Sequence, residues 1–143
     1  MAPSAIVNET LGNRVSAFDI PPNGDLGPRR DWAQFGALPE TDDVSALIGS
    51  LAIGPEGGAL DAEGAVWVAD AIGNPLVRAQ RGGKILEQID TGSQGVYAAA
   101  LGGPKGTTLF MAVAPNFDEA KRKASLKGQI LMTEVDVPHA GLP

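Results

Sequence analysis

Between Pro55 and Gly92, four short β-prone runs (Gly58 to Ala62, Ala65 to Ala71, Leu76 to Gln80 and Ile85 to Asp90) alternate with turn clusters at Glu63-Gly64, Gly73-Asn74 and Gly82-Gly83. This spacing predicts consecutive antiparallel hairpins in one four-stranded meander. A tight hairpin needs a residue that tolerates positive φ, and each of these turns contains glycine. In the second strand Val66, Val68 and Asp70 point one way and Trp67, Ala69 and Ala71 the other, so both faces are largely apolar. A sheet apolar on both faces must be covered on both, which favours sheets stacked on other sheets.

Internal repetition supports that reading. Val66 to Ala71 can be laid on Leu109 to Ala114, which puts Trp67 on Phe110 and Val68 on Met111, a shift of roughly 43 positions. In the other direction Ile6 to Asn13 lies on Trp67 to Asn74, with Glu9 on Asp70 and the Gly-Asn turns superposed. The longer spacing of that second pair is accounted for by an extra segment, Ala37 to Ser50. A period in the low forties with about four strands per unit is that of a β-propeller blade. At that period 143 residues supply roughly three blades, whereas closed propellers need about four to eight. The expected fold is therefore all-β: a fragment of a β-propeller, about three four-stranded antiparallel blades with short helical insertions, beginning partway through a blade.

Along the chain, Ile6 to Leu11 and Arg14 to Ile20 form a hairpin about Gly12-Asn13, and a further strand follows at Arg29 to Phe35. This is the outer part of a blade whose innermost strand is absent. In Ala37 to Ser50 the cluster Thr41, Asp42, Asp43 precedes Val44, Leu47, Ile48 and Leu51 at helical spacing, which predicts an N-cap at Thr41 or Asp42 and a turn or two of helix. It caps a blade junction or forms a lid over a pocket. Gly95 to Leu101 and Thr107 to Ala114 make the next hairpin, Phe117 to Leu126 reads as a short exposed helix, and Gln129 to Val137 is the last strand.

Charge and composition exclude several classes of function. A net charge of -6 argues against nucleic acid or an anionic membrane as a partner, and no apolar run is long enough to span a bilayer. Met1 to Ala5 lack the charged and apolar regions of a signal peptide, so a cytoplasmic chain is the expectation. The absence of cysteine removes disulfides and thiolate metal sites, and the single histidine, His139, reads as an exposed bystander with no serine to serve. Asp61 opens a turn and reads as a turn former, while Asp70 and its repeat-mate Glu9, at equivalent strand ends, read as structural.

Four segments, V-N-E-T-L-G-N-R-V-S-A-F-D-I, L-D-A-E-G-A-V-W-V-A-D-A-I-G-N, G-V-Y-A-A-A-L-G-G-P-K-G-T-T-L-F-M and V-D-V-P-H-A-G-L-P, together resemble the C-terminal half of the SMP-30/gluconolactonase/LRE-like family of regucalcin-like sugar lactonases. The resemblance covers nearly the whole chain and implies a six-bladed propeller, of which residues 1–143 form the C-terminal part. It implies metal-dependent hydrolysis of a small sugar lactone. The cation is divalent, calcium first, with zinc, magnesium or manganese as alternatives, bound by carboxylate and asparagine oxygens on the propeller axis. The family's P-D-G segment, whose aspartate is metal ligand and proposed base, matches Pro55, Glu56 and Gly57, so Glu56 becomes the candidate catalytic and metal residue. Glutamate there reaches one methylene further than aspartate; on the residues alone Glu56 is equally a turn carboxylate. The family's upstream glutamate and asparagine ligands have no counterpart, which leads us to expect an inactive chain on its own. The alternative is a non-catalytic propeller fragment acting as an assembly or interaction module, and self-association through open propeller edges is expected under either reading.

Overall fold

The computed structural model describes residues 3–141. Its ten strands form three antiparallel sheets. The first sheet contains β1 (Ser4–Glu9), β2 (Arg14–Asp19) and β3 (Arg30–Gln34) in that order. The second is the meander β4 (Pro55–Leu60), β5 (Val66–Asp70), β6 (Leu76–Ala79) and β7 (Ile85–Ile89), and the third runs β8 (Gly95–Gly102), β9 (Thr108–Ala114), β10 (Gln129–Glu134). Two short helices interrupt them, α1 (Val44–Ser50) and α2 (Glu119–Ala124).

The two-faced strand read from the sequence is the centre of the molecule, since every residue of β5 is buried. Val66 and Val68 pack with Val15, Ala17, Trp32 and Ala33 of the first sheet. Trp67 and Ala69 pack with Val96, Leu109, Met111 and Val113 of the third. The middle sheet is thus covered on both sides by its neighbours, and two separate cores result from the period-2 alternation of one strand. Each outer sheet has three strands where the middle one has four.

Four local readings are corrected. In the two Gly-Asn turns the asparagines adopt the left-handed conformation, Asn13 at φ 57° and Asn74 at φ 77°. The glycine before Asn74 is there for room, because a Cβ on Gly73 would collide with the Asp70 carboxylate. The cap of α1 is Asp43, whose Oδ1 accepts the Ala46 N–H at 2.8 Å; Thr41 instead accepts the N–H of Asp43. The last strand ends at Glu134, short of Val137. His139 is half-buried rather than exposed, because its backbone bridges to Asp61 and donates to the Gly106 carbonyl while its ring packs on Gly106. Pro138 and Ala140 add bonds to Ala62 and Leu60, so this terminal segment ties the middle sheet to the β8–β9 turn.

Candidate functional site

Glu56 lies at an irregularity in β4. Pro55 pairs with Asp70 and Gly58 with Val68, so one extra residue is accommodated between them, a bulge that re-aims the side chain of Glu56. The glycine that follows permits close packing of the inner strands, since a Cβ on Gly57 would sit 3.0 Å from Ala98 of β8. Two residues of the preceding hairpin, Asn8 of β1 and Thr10 of the turn after it, reach across to hold Glu56. The Asn8 amide donates to its backbone carbonyl. The Thr10 hydroxyl lies 2.8 Å from Glu56 Oε1 and 2.9 Å from the Pro55 carbonyl, sharing one proton between the two acceptors.

Glu56 opens onto a cavity of about 170 Å³. Its walls are apolar and aromatic: Leu11, Ile72, Tyr97 and Phe117, with Ile48 reaching in from α1. Tyr97 and Phe117 meet edge to face, with ring centroids 6.3 Å apart. Burial pushes the Tyr97 phenol up, against the opposing charge of Arg122, so at neutral pH it is a hydroxyl donor. Sequence reasoning singled out Glu56 as a candidate but did not single out Thr10, Tyr97 or Phe117, which line the same cavity. The one available signal was that Tyr97 is the single tyrosine of the chain.

The other carboxylates singled out in the sequence, read there as turn former and structural residues, lie away from this cavity. Asp61 is fully buried; its Oδ1 accepts the N–H groups of Glu63 and Ala65, and its Oδ2 pairs with Arg78 at 2.7 Å. Arg78 also meets Glu63 and Glu87. Burial works against the Arg78 charge, but the three carboxylates outweigh it and raise its pKa further. Asp70 accepts the N–H groups of Gly54 and Ile72.

Glu9 accepts from Arg14 and Ser16. Partial burial opposes its charge, and these two bonds overcome it, holding the carboxyl below its ordinary range. A group whose folded-state pKa is depressed stabilises fully above its unfolded value, about 4.3 for glutamate, and loses that contribution as pH falls through the folded value. Replacing Arg14 by glutamine is therefore expected to flatten the fall of stability below about pH 4.3, read as the urea midpoint at pH 3 to 6. A variant with an unchanged pH profile would remove Arg14 from that role.

The donor set does not fit a divalent cation. The cavity has one carboxylate, Glu56, and two hydroxyls, Thr10 and Tyr97, and no cluster of three histidine, cysteine, aspartate or glutamate side chains exists among the described residues. A buried oxygen without a partner does stand near, Asn8 Oδ1, but six to eight oxygens are the usual complement for calcium.

The three stacked four- or three-stranded sheets, with a carboxylate at an inner-strand bulge, define a segment of a six-bladed β-propeller. The chain belongs to the SMP-30/Gluconolactonase/LRE-like region family, whose model matches residues 4–115. Two solved structures share its fold. A luciferin-regenerating enzyme aligns over 95% of this chain and 43% of its own, at 21% identity and TM-score 0.68. A calcium-binding protein, regucalcin, from Agrobacterium tumefaciens aligns over 97% of this chain and 43% of its own, at 18% identity and TM-score 0.64. The chain thus spans less than half the length of either.

Proposed function

We propose that this segment supplies the carboxylate wall of a sugar-lactone hydrolase, with Glu56 as its general base. The observation that carries the reading is the placement of Glu56, a single carboxylate fixed by Thr10 and Asn8 beside an aromatic pocket. In the reaction Glu56 takes a proton from water as the water oxygen bonds to the lactone carbonyl carbon. Collapse of the tetrahedral adduct breaks the ring C–O bond, and the proton passes to the departing ring oxygen, giving the hydroxy acid. Tyr97 and Phe117 offer surfaces for the apolar face of a sugar ring, and α1, through Ile48, closes one side. A divalent cation in a complete ring would draw most of its ligands from outside these residues.

This reading has a direct test. The 143-residue chain alone is expected to show no gluconolactone hydrolysis above background with or without added calcium. In a longer protein carrying this segment, Glu56→Gln is expected to lower kcat by roughly 10²- to 10⁴-fold with an unchanged circular dichroism spectrum, since the amide keeps the shape but takes up no proton. Chelator-sensitive turnover by the short chain would sink the first expectation. Retention of most activity in the glutamine variant would return Glu56 to a turn carboxylate.

A further inference from the structure

The shift that lays β5 on β9 also lays β4 on β8, and the pairing registers carry the match down to individual residues. Pro55 pairs with Asp70 and Gly58 with Val68; Val96 pairs with Val113 and Ala99 with Met111, the repeat-mates of Asp70 and Val68. The place that Glu56 takes in β4 is therefore taken in β8 by Tyr97. Both residues stand at an irregularity of their inner strand, and both line the same cavity. A bulge that presents a carboxylate in one blade presents a phenol in the next.

The surroundings of Tyr97 place its hydroxyl as well as its ring. A Cβ on Gly95 would come 2.5 Å from that hydroxyl and 3.0 Å from Asn74 Oδ1, so the phenol lies back along β8 toward the turn between β5 and β6. Ala71 and Ile72 of that turn are walls of the cavity. Phe117 meets the ring edge to face and fixes its plane. Among the described residues the Tyr97 hydroxyl makes no hydrogen bond, whereas Glu56 is held by Thr10. Its proton is left for a ligand.

We propose that Tyr97 recognises the lactone carbonyl: its hydroxyl donates to the carbonyl oxygen, and that bond strengthens as the oxygen becomes negative in the tetrahedral adduct. This rests on the reading of the cavity as that of a lactone hydrolase. Glu56 then activates the water, while Tyr97, one blade on, holds the oxygen on which charge collects. The phenol keeps its proton throughout, since burial raises its pKa against the charge of Arg122. The same bond makes the site select a cyclic ester or amide over a cyclic polyol of similar shape, which has no carbonyl oxygen to receive it.

The test uses two hydrolytically inert probes, gluconolactam, which keeps the carbonyl, and anhydroglucitol, which lacks it. Tyr97 is the single tyrosine, so tyrosine labelled at the hydroxyl-bearing carbon gives one NMR resonance from the 143-residue chain. The lactam is expected to move that resonance and to bind Tyr97→Phe roughly two- to tenfold more weakly, the range of one neutral hydrogen bond. Anhydroglucitol should bind both chains alike, because phenylalanine keeps the ring surface. In a longer protein carrying this segment, Tyr97→Phe is expected to lower kcat by about 10²- to 10³-fold with KM changed far less. A resonance that the lactam leaves in place, a variant that loses both probes equally or neither, or an unchanged kcat would overturn the proposal and leave Tyr97 a packing surface. Failure of the Glu56 assignment is read separately, since Glu56→Gln keeps the lactam contact with Tyr97 and reports on the base through kcat.

Discussion

Replacing Arg78 by methionine is expected to destabilise the chain by about 3–5 kcal/mol, the cost of leaving a buried carboxylate without its partner. The side chain of Asp61 is 0% exposed and that of Arg78 7%, so water cannot take the place of the lost guanidinium. The pairs with Glu63 and Glu87 add little, because those carboxylates are 66% and 51% exposed and already solvated. For a chain of this size the loss corresponds to a fall in Tm of roughly 10–20 °C. A double-mutant cycle with Asp61→Asn isolates the pair, since asparagine keeps an acceptor for the N–H groups of Glu63 and Ala65. Urea denaturation should show the second substitution recovering part of what the first removed. Strict additivity would mean that the two side chains do not depend on each other.

Asn13→Ala is expected to cost about 3–4 kcal/mol, by a different route. Asn13 is buried, its Oδ1 accepts the N–H groups of both Ala52 and Ile53 at 3.1 Å, and its amide donates to the Ala37 carbonyl at 3.0 Å. One side chain therefore closes the neck of the insertion that carries α1 and places Ile48 against the Glu56 cavity. Alanine leaves three backbone groups without partners and must also adopt a left-handed conformation. Asn13→Gly separates the two effects, because glycine tolerates the backbone but restores none of the bonds. Both variants should speed hydrogen exchange of the α1 amides well beyond the change in global stability. If α1 exchanges no faster than the sheets, Asn13 does not anchor the insertion.

The architecture was legible because it rests on local periodicities. The two apolar faces of β5, glycine-bearing turns and a repeat in the low forties each follow from residue order, and together they require stacked antiparallel sheets. Glu56 became a candidate only through the resemblance of Pro55, Glu56 and Gly57 to a family motif. Nothing local separates a site carboxylate from a turn carboxylate. Asp61 shows the same limit: its turn was readable in D-A-E-G, but its ion pair was not, because Arg78 lies on a different strand and the two meet only when β6 is laid beside β5.

Contacts between residues far apart in the chain were decided by tertiary structure alone. Thr10 meets Glu56 across 46 positions, and Asn13 meets Ile53 across 40. Tyr97 joins Glu56 because the bulge in β4 and the close packing at Gly57 bring the inner strands together. Alternation and turn chemistry act over a few residues, so the order of residues determines which strands form and which faces they bury. Side-chain partnership depends on which strands are brought together, and only the packing of the sheets determines that.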